Sequence, residues 1–180
     1  MIETIEKALS MLDLDDLTMQ MARNAQTIHQ LTLGFSTEAG RWKPDAETWS
    51  VVEVLNHLYY EERMDFRLLL AQGFQIEPLR ADFIGEYPFS GEFPYDAADA
   101  AQAVRAFLDE RAQSLIWLRG LGDVDWNAQC QIRRGPISTG DVMAAWVAHD
   151  LLHMRQLVEL HYAHLTRQLQ PNSVIYAGDW

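Results

Sequence analysis

Basic charge is scarce in this chain. Its 14 lysines and arginines stand against 26 aspartates and glutamates, a formal charge of -12, and the sequence pI is near 4.8. Surfaces that grip phosphate need the opposite sign, so neither nucleic acid nor anionic membrane is expected as a partner. Cysteine is nearly absent. The lone Cys130 cannot close an intrachain disulfide or build a thiolate metal cluster, and with no charged activating motif around it, it reads as a half-buried bystander. No stretch approaches the ~18 apolar residues of a membrane span, and MIETIEKALSMLDLDD lacks the basic head and apolar middle of a secretory signal. The cytoplasm is the expected compartment. Strict alternation of apolar and polar residues is also missing, so no sheet is expected, and neither repeats nor low-complexity tracts interrupt the chain.

What remains is a helical protein. With 48% apolar residues in 180 positions, one domain spanning residues 1–180 is expected. Four segments carry helical periodicity. The first runs from about Glu3 to Leu33, with a break near Asp15 and Asp16, Leu17, Met21, Ile28 and Leu31 facing the core, and Gly34 as its stop. The second starts at Ser50, where Ser50 and Glu53 form a capping box, and is expected to end at about Gln72 before Gly73. Asp96 and Asp99 mark the start of the third, which continues to about Arg119. The fourth runs from about Thr139 to Gln168 with Asp141 in its first turn.

The connections carry topology. GFQIEPLRADFIGEYPFSGEFPY, between helices two and three, holds three prolines and three glycines and is far longer than a helical hairpin needs. It can span the ~33 Å of a 22-residue helix, so helices two and three can run parallel in an all-α four-helix bundle of up-down-down-up path. GLGDVDWNAQCQIRRGPIS, before helix four, suits either a cover over one bundle end or a short hairpin. Arg133 and Arg134 within it read as a solvated loop ahead of an anion site.

The chemistry centres on WVAHDLLHMRQL. His149 and His153 stand at i and i+4, so both rings leave one helix face a turn apart and can chelate one ion. The stripe Val142, Trp146, His149, His153, Leu157, Leu160 turns that face inward. Six histidines yield roughly 0.2 such pairs by chance, so spacing alone decides little. A third ligand decides more, since catalytic zinc takes three protein ligands and keeps one position open. His57 lies on the inward stripe of helix two with Val54, Glu61, Met64 and Leu68. Antiparallel packing would bring it to ~23 Å on a scale where His149 and His153 lie at ~15 to 21 Å.

Around these, Glu61 is a candidate fourth ligand or general base, and Glu62 is expected on another face. Asp150, about 100° around the helix from His149, is a candidate for orienting a ligand or acting in catalysis, against a plain helix-surface pair. His161 and His164 read as helix-end or surface residues, and His29 has no assigned role. Trp42, Trp49, Trp126 and Trp146 read as core more readily than as a pocket wall. HDLLH departs from the H-E-x-x-H zinc-protease motif in its shorter acid, and the absence of any E-x-x-H excludes a di-iron carboxylate bundle.

Trp49-Ser50 at a helix start, His57-Leu58, and His149-Asp150, His153 and Gln156 in an H-[DE]-x-x-H-x-x-Q arrangement together resemble the DinB/YfiT-like family of metalloenzymes, and the helix order extends the likeness over most of the chain. The resemblance implies an up-down-down-up bundle, His57, His149 and His153 as ligands of one divalent metal, zinc or nickel, and a homodimer. It also implies a small-molecule substrate and thiol-dependent S-transfer with a low-molecular-weight thiol cosubstrate. The alternatives are a metal-dependent hydrolase, and a noncatalytic metal-binding or structural bundle.

Overall fold

A computed structural model describes residues 13–76 and 99–178. Helix α1, Leu14–Thr32, is capped by the Asp13 carboxylate, which accepts from the backbone of Asp15 and Asp16. Those two acids form the first turn, where they favour the helix dipole, rather than a break. The segment expected to be helical before residue 13 lies outside the described residues. Met21 and Ile28 are fully buried as expected, while Leu17 and Leu31 are half-buried. A short α2, Thr37–Arg41, follows.

Helix α3, Val51–Glu61, begins with both halves of the capping box: Glu53 N–H donates to Ser50 Oγ, and Ser50 N–H to Glu53 Oε2. It does not run uniformly to its end. A π-helical turn, Glu62–Phe66, separates it from α4, Arg67–Phe74. Gly73 is inside α4 instead of ending it, and the left-handed Gln75 makes the stop. A Cβ on Gly73 would lie 2.3 Å from Thr139 Cγ2 and 2.7 Å from Cys130 Sγ, so glycine is there for close packing.

Helix α5, Ala100–Arg119, starts at the Asp99 cap. The connection after it forms an antiparallel hairpin, β1 (Gln129–Ile132) with β2 (Gly135–Ser138), one of the two forms expected of it. Arg133 and Arg134 are its exposed turn. Cys130 is buried, not half-buried, and its thiol donates to Leu69 O. Ser138 then caps α6, Thr139–Gln168. Among the described residues no helix is long and apolar enough to cross a membrane.

Contact registers give the helix directions. Val51 and Leu55 share a cluster with Ala100 and Ala103, whereas Leu69 and Leu70 share one with Leu118, so the second long helix and α5 advance together. Asn24 meets Asp150 and Leu31 meets His161, so α1 and α6 also advance together. His57 meets His149 whereas Glu62 meets Trp146, so the second and fourth helices run opposite ways. The crossover residues 77–98 lie outside the described residues. Each of α1 and α3 packs against both α5 and α6, which makes the first and second long helices diagonal partners. The interior divides into two apolar clusters, one around Ile28, Leu55, Phe107 and Leu157, the other around Met21, Leu70, Met143 and Trp146. Between them lies a polar layer.

Candidate metal centre

His57 comes from the middle of α3, and His149 and His153 from the middle of α6. Antiparallel packing brings them to one level. His57 Nε2 lies 3.3 Å from His149 Nε2, which lies 3.1 Å from His153 Nε2. One ligand atom from each falls within 4.8 Å of the others. Two imidazole nitrogens held ~2.0–2.1 Å from a tetrahedral zinc are about 3.4 Å apart, so this donor set fits a divalent ion.

Electrostatics prepare the same atoms. Burial pushes His57 down to about 3, with His153 and His149 adding to the effect. Burial and then His153 push His149 down to about 4, and burial also lowers His153. All three rings are neutral near pH 7, the form a metal takes. His153 Nδ1–H donates to Gln156 Oε1 at 2.9 Å, one turn along α6. That bond fixes the ring and leaves Nε2 with its lone pair facing the cluster.

Aromatic rings wall the cluster. Trp49 packs 5.0 Å from His57 and stacks parallel to His153 at 6.4 Å. Phe66 and His149 meet edge to face with ring centroids 5.3 Å apart, and Phe66 stacks on Trp146. Trp49 therefore borders the site. Trp126 packs on Phe74 and Trp42 on His164, away from it. His161 points its Nε2 at the Leu31 carbonyl and its ring at Phe35, so it takes no part in the cluster.

The two carboxylates singled out from sequence sit differently. Glu61 is buried, with Oε1 3.7 Å from His57 Nδ1, at the opposite ring edge from the converging Nε2 atoms. Asp150 is not in a helix-surface pair but fully buried. It accepts two bonds from Arg111, at 2.7 and 2.8 Å, and one from Asn24 at 3.0 Å.

This second polar group was not anticipated. Arg111 Nε also donates to Glu62 Oε1 at 2.8 Å, as does Trp146 Nε1 at 2.7 Å, and Arg111 Nη1 reaches Met21 O. Burial works against the Arg111 charge, but Glu62 and Asp150 outweigh it and hold the guanidinium above its ordinary range. Glu62 faces inward, contrary to the sequence expectation. A signal was present: Arg111 interrupts the stripe Ala103, Phe107, Ser114, Leu118, and Glu62 the stripe Leu55, Leu58, Phe66, Leu69, and a charge within a core stripe requires a partner.

An antiparallel pair of bundle helices presenting three convergent imidazoles defines a helical-bundle protein with a site that could hold a metal ion. The chain belongs to the DinB superfamily, whose profile matches residues 20–157. Among solved structures it resembles YfiT from Bacillus subtilis, described as "a probable metal-dependent hydrolase with an unusual four-helix bundle topology", at a TM-score of 0.65 and 15% identity over 89% of this chain and 90% of that one. That likeness establishes the four-helix-bundle fold. No match is found among curated proteins.

Proposed function

We propose that this chain is a divalent-metal-dependent enzyme acting on a small-molecule substrate, with His57, His149 and His153 as the ligands. The convergence of three neutral Nε2 atoms at 3.1 and 3.3 Å carries this reading. Zinc and nickel suit an all-imidazole set. A divalent ion bound there would polarise a carbonyl and ease deprotonation of water or a thiol. The chain's own residues prepare that chemistry: Gln156 orients His153, Glu61 lies beside His57 Nδ1, and Trp49 and Phe66 exclude water from the imidazole faces.

Hydrolysis is the first reaction class, supported by the description of the YfiT neighbour. Thiol-dependent S-transfer is the second, since an ion held by the three imidazoles would also hold a thiol as thiolate. A homodimer in the cytoplasm is part of this reading.

The test begins with protein purified without affinity tag or chelator, its metal content read by elemental mass spectrometry. About one divalent ion per chain is expected, lost in His57→Ala and His153→Ala and kept in His161→Ala. Equal retention in all three variants refutes the ligand set, as does failure of the unaltered chain to bind added zinc or nickel. Ester and amide cleavage assayed with and without an added thiol then separates the two reaction classes.

A further inference from the structure

The ion cluster beside the histidines does not sum to zero. Arg111 brings one positive charge, and Glu62 and Asp150 bring two negative ones. Relative exposures of 2%, 1% and 0% keep water from making up the difference. The nearby Arg67 guanidinium is engaged by Glu110 and Ser114. Glu62 Oε2 is buried without a hydrogen bond. Uncompensated charge in a protein interior is strongly unfavourable, so a surplus anion here needs a counterpart.

Position supplies one. Asp150 follows His149 directly in α6. Trp146, one turn earlier, donates to Glu62 and stacks on Phe66, which meets His149 edge to face. Asp150 is thus one residue from the imidazole cluster, and Glu62 is joined to it by a hydrogen bond and two ring contacts. We propose that Glu62, Arg111 and Asp150 form a buried counter-charge for the cation held by the three histidines, with Arg111 positioning both carboxylates and Glu62 providing the unbalanced charge. The inference rests on the metal-centre reading above. Neutral imidazoles leave a divalent ion its full charge, and in a low-dielectric interior a fixed anion stabilises it at distances where water would screen the attraction.

The test measures zinc affinity of the full chain by competition with a chromophoric chelator, together with the thermal midpoint of the metal-free protein. Glu62→Gln keeps the Oε1 acceptor for Trp146 and Arg111 but removes the charge, and zinc binding is expected to weaken about tenfold or more without a lower metal-free midpoint. Glu62→Asp keeps the charge on a shorter side chain and should bind zinc more tightly than Glu62→Gln. A purely structural role predicts the reverse order, and that order, or unchanged affinity in Glu62→Gln, overturns the proposal. Asp150→Asn removes the same unit of charge from the other side of Arg111 and must weaken binding too, so the result does not depend on one variant folding. Failure of the unaltered chain to bind zinc refutes the metal centre itself, a separate outcome from zinc binding that ignores Glu62.

Discussion

Two polar clusters share the middle of this bundle and follow opposite rules. Around Arg111, donors meet acceptors: the guanidinium reaches two carboxylates and a carbonyl, Asn24 caps Asp150, and Gln20 in turn donates to Asn24. Among the histidines, the bond from His153 to Gln156 turns an acceptor lone pair toward a neighbouring Nε2. The first arrangement ties helices together through Arg111 and leaves Glu62 Oε2 over. The second gathers three ring nitrogens at one point, where a cation could be shared. Neighbouring interior clusters can differ in purpose, one built on a guanidinium shared between carboxylates and the other on converging ring nitrogens.

The sharpest way to break this contrast is to remove the shared guanidinium. Arg111→Met leaves Glu62 and Asp150 buried and facing each other without their shared cation, and should lower unfolding free energy by about 3–5 kcal/mol in urea titrations. A loss near zero would show that the network does not hold the helices.

Acid attacks the histidine cluster instead. His57 is pushed from 6.5 to about 3 and His149 from 6.5 to about 4, both chiefly by burial. The unfolded metal-free chain therefore takes up protons that the folded chain refuses. Stability is fully present above about pH 6.5 and declines as pH falls toward 4 and then 3. Denaturant titrations of metal-free protein at several pH values check this, and a flat profile between pH 7 and 5 would contradict it.

The smallest effect is expected at the hydrogen bond that orients a ligand. Gln156→Ala should weaken zinc binding roughly 10–100-fold and leave the metal-free unfolding midpoint nearly unchanged, since Gln156 is half-buried and its amide oxygen accepts from His153. A matching loss of stability would move Gln156 into the structural cluster.

Local chemistry made much of the fold legible. The Ser50 and Glu53 box, the Asp99 cap, the span of the fourth helix and the inward faces of His57, His149 and His153 all follow from patterns a few residues long. Such signals act within one or two helical turns, and a single sequence displays them directly. The hairpin was harder to read, because each of its strands spans four residues, too few to establish alternation.

By itself, then, the sequence determined the long helices and their caps, their apolar faces and which three histidines turn inward. Only the tertiary structure decided that Glu62 faces the core from a π-helical turn, that Asp150 is an interior anion, and that Arg111 joins them. The physical reason is separation along the chain. Arg111 finds its partners 39 and 49 residues away, and Asn24 meets Asp150 across 126. No local propensity reports on those distances, and the cost of burying a charge is settled only when packing brings its partner to it.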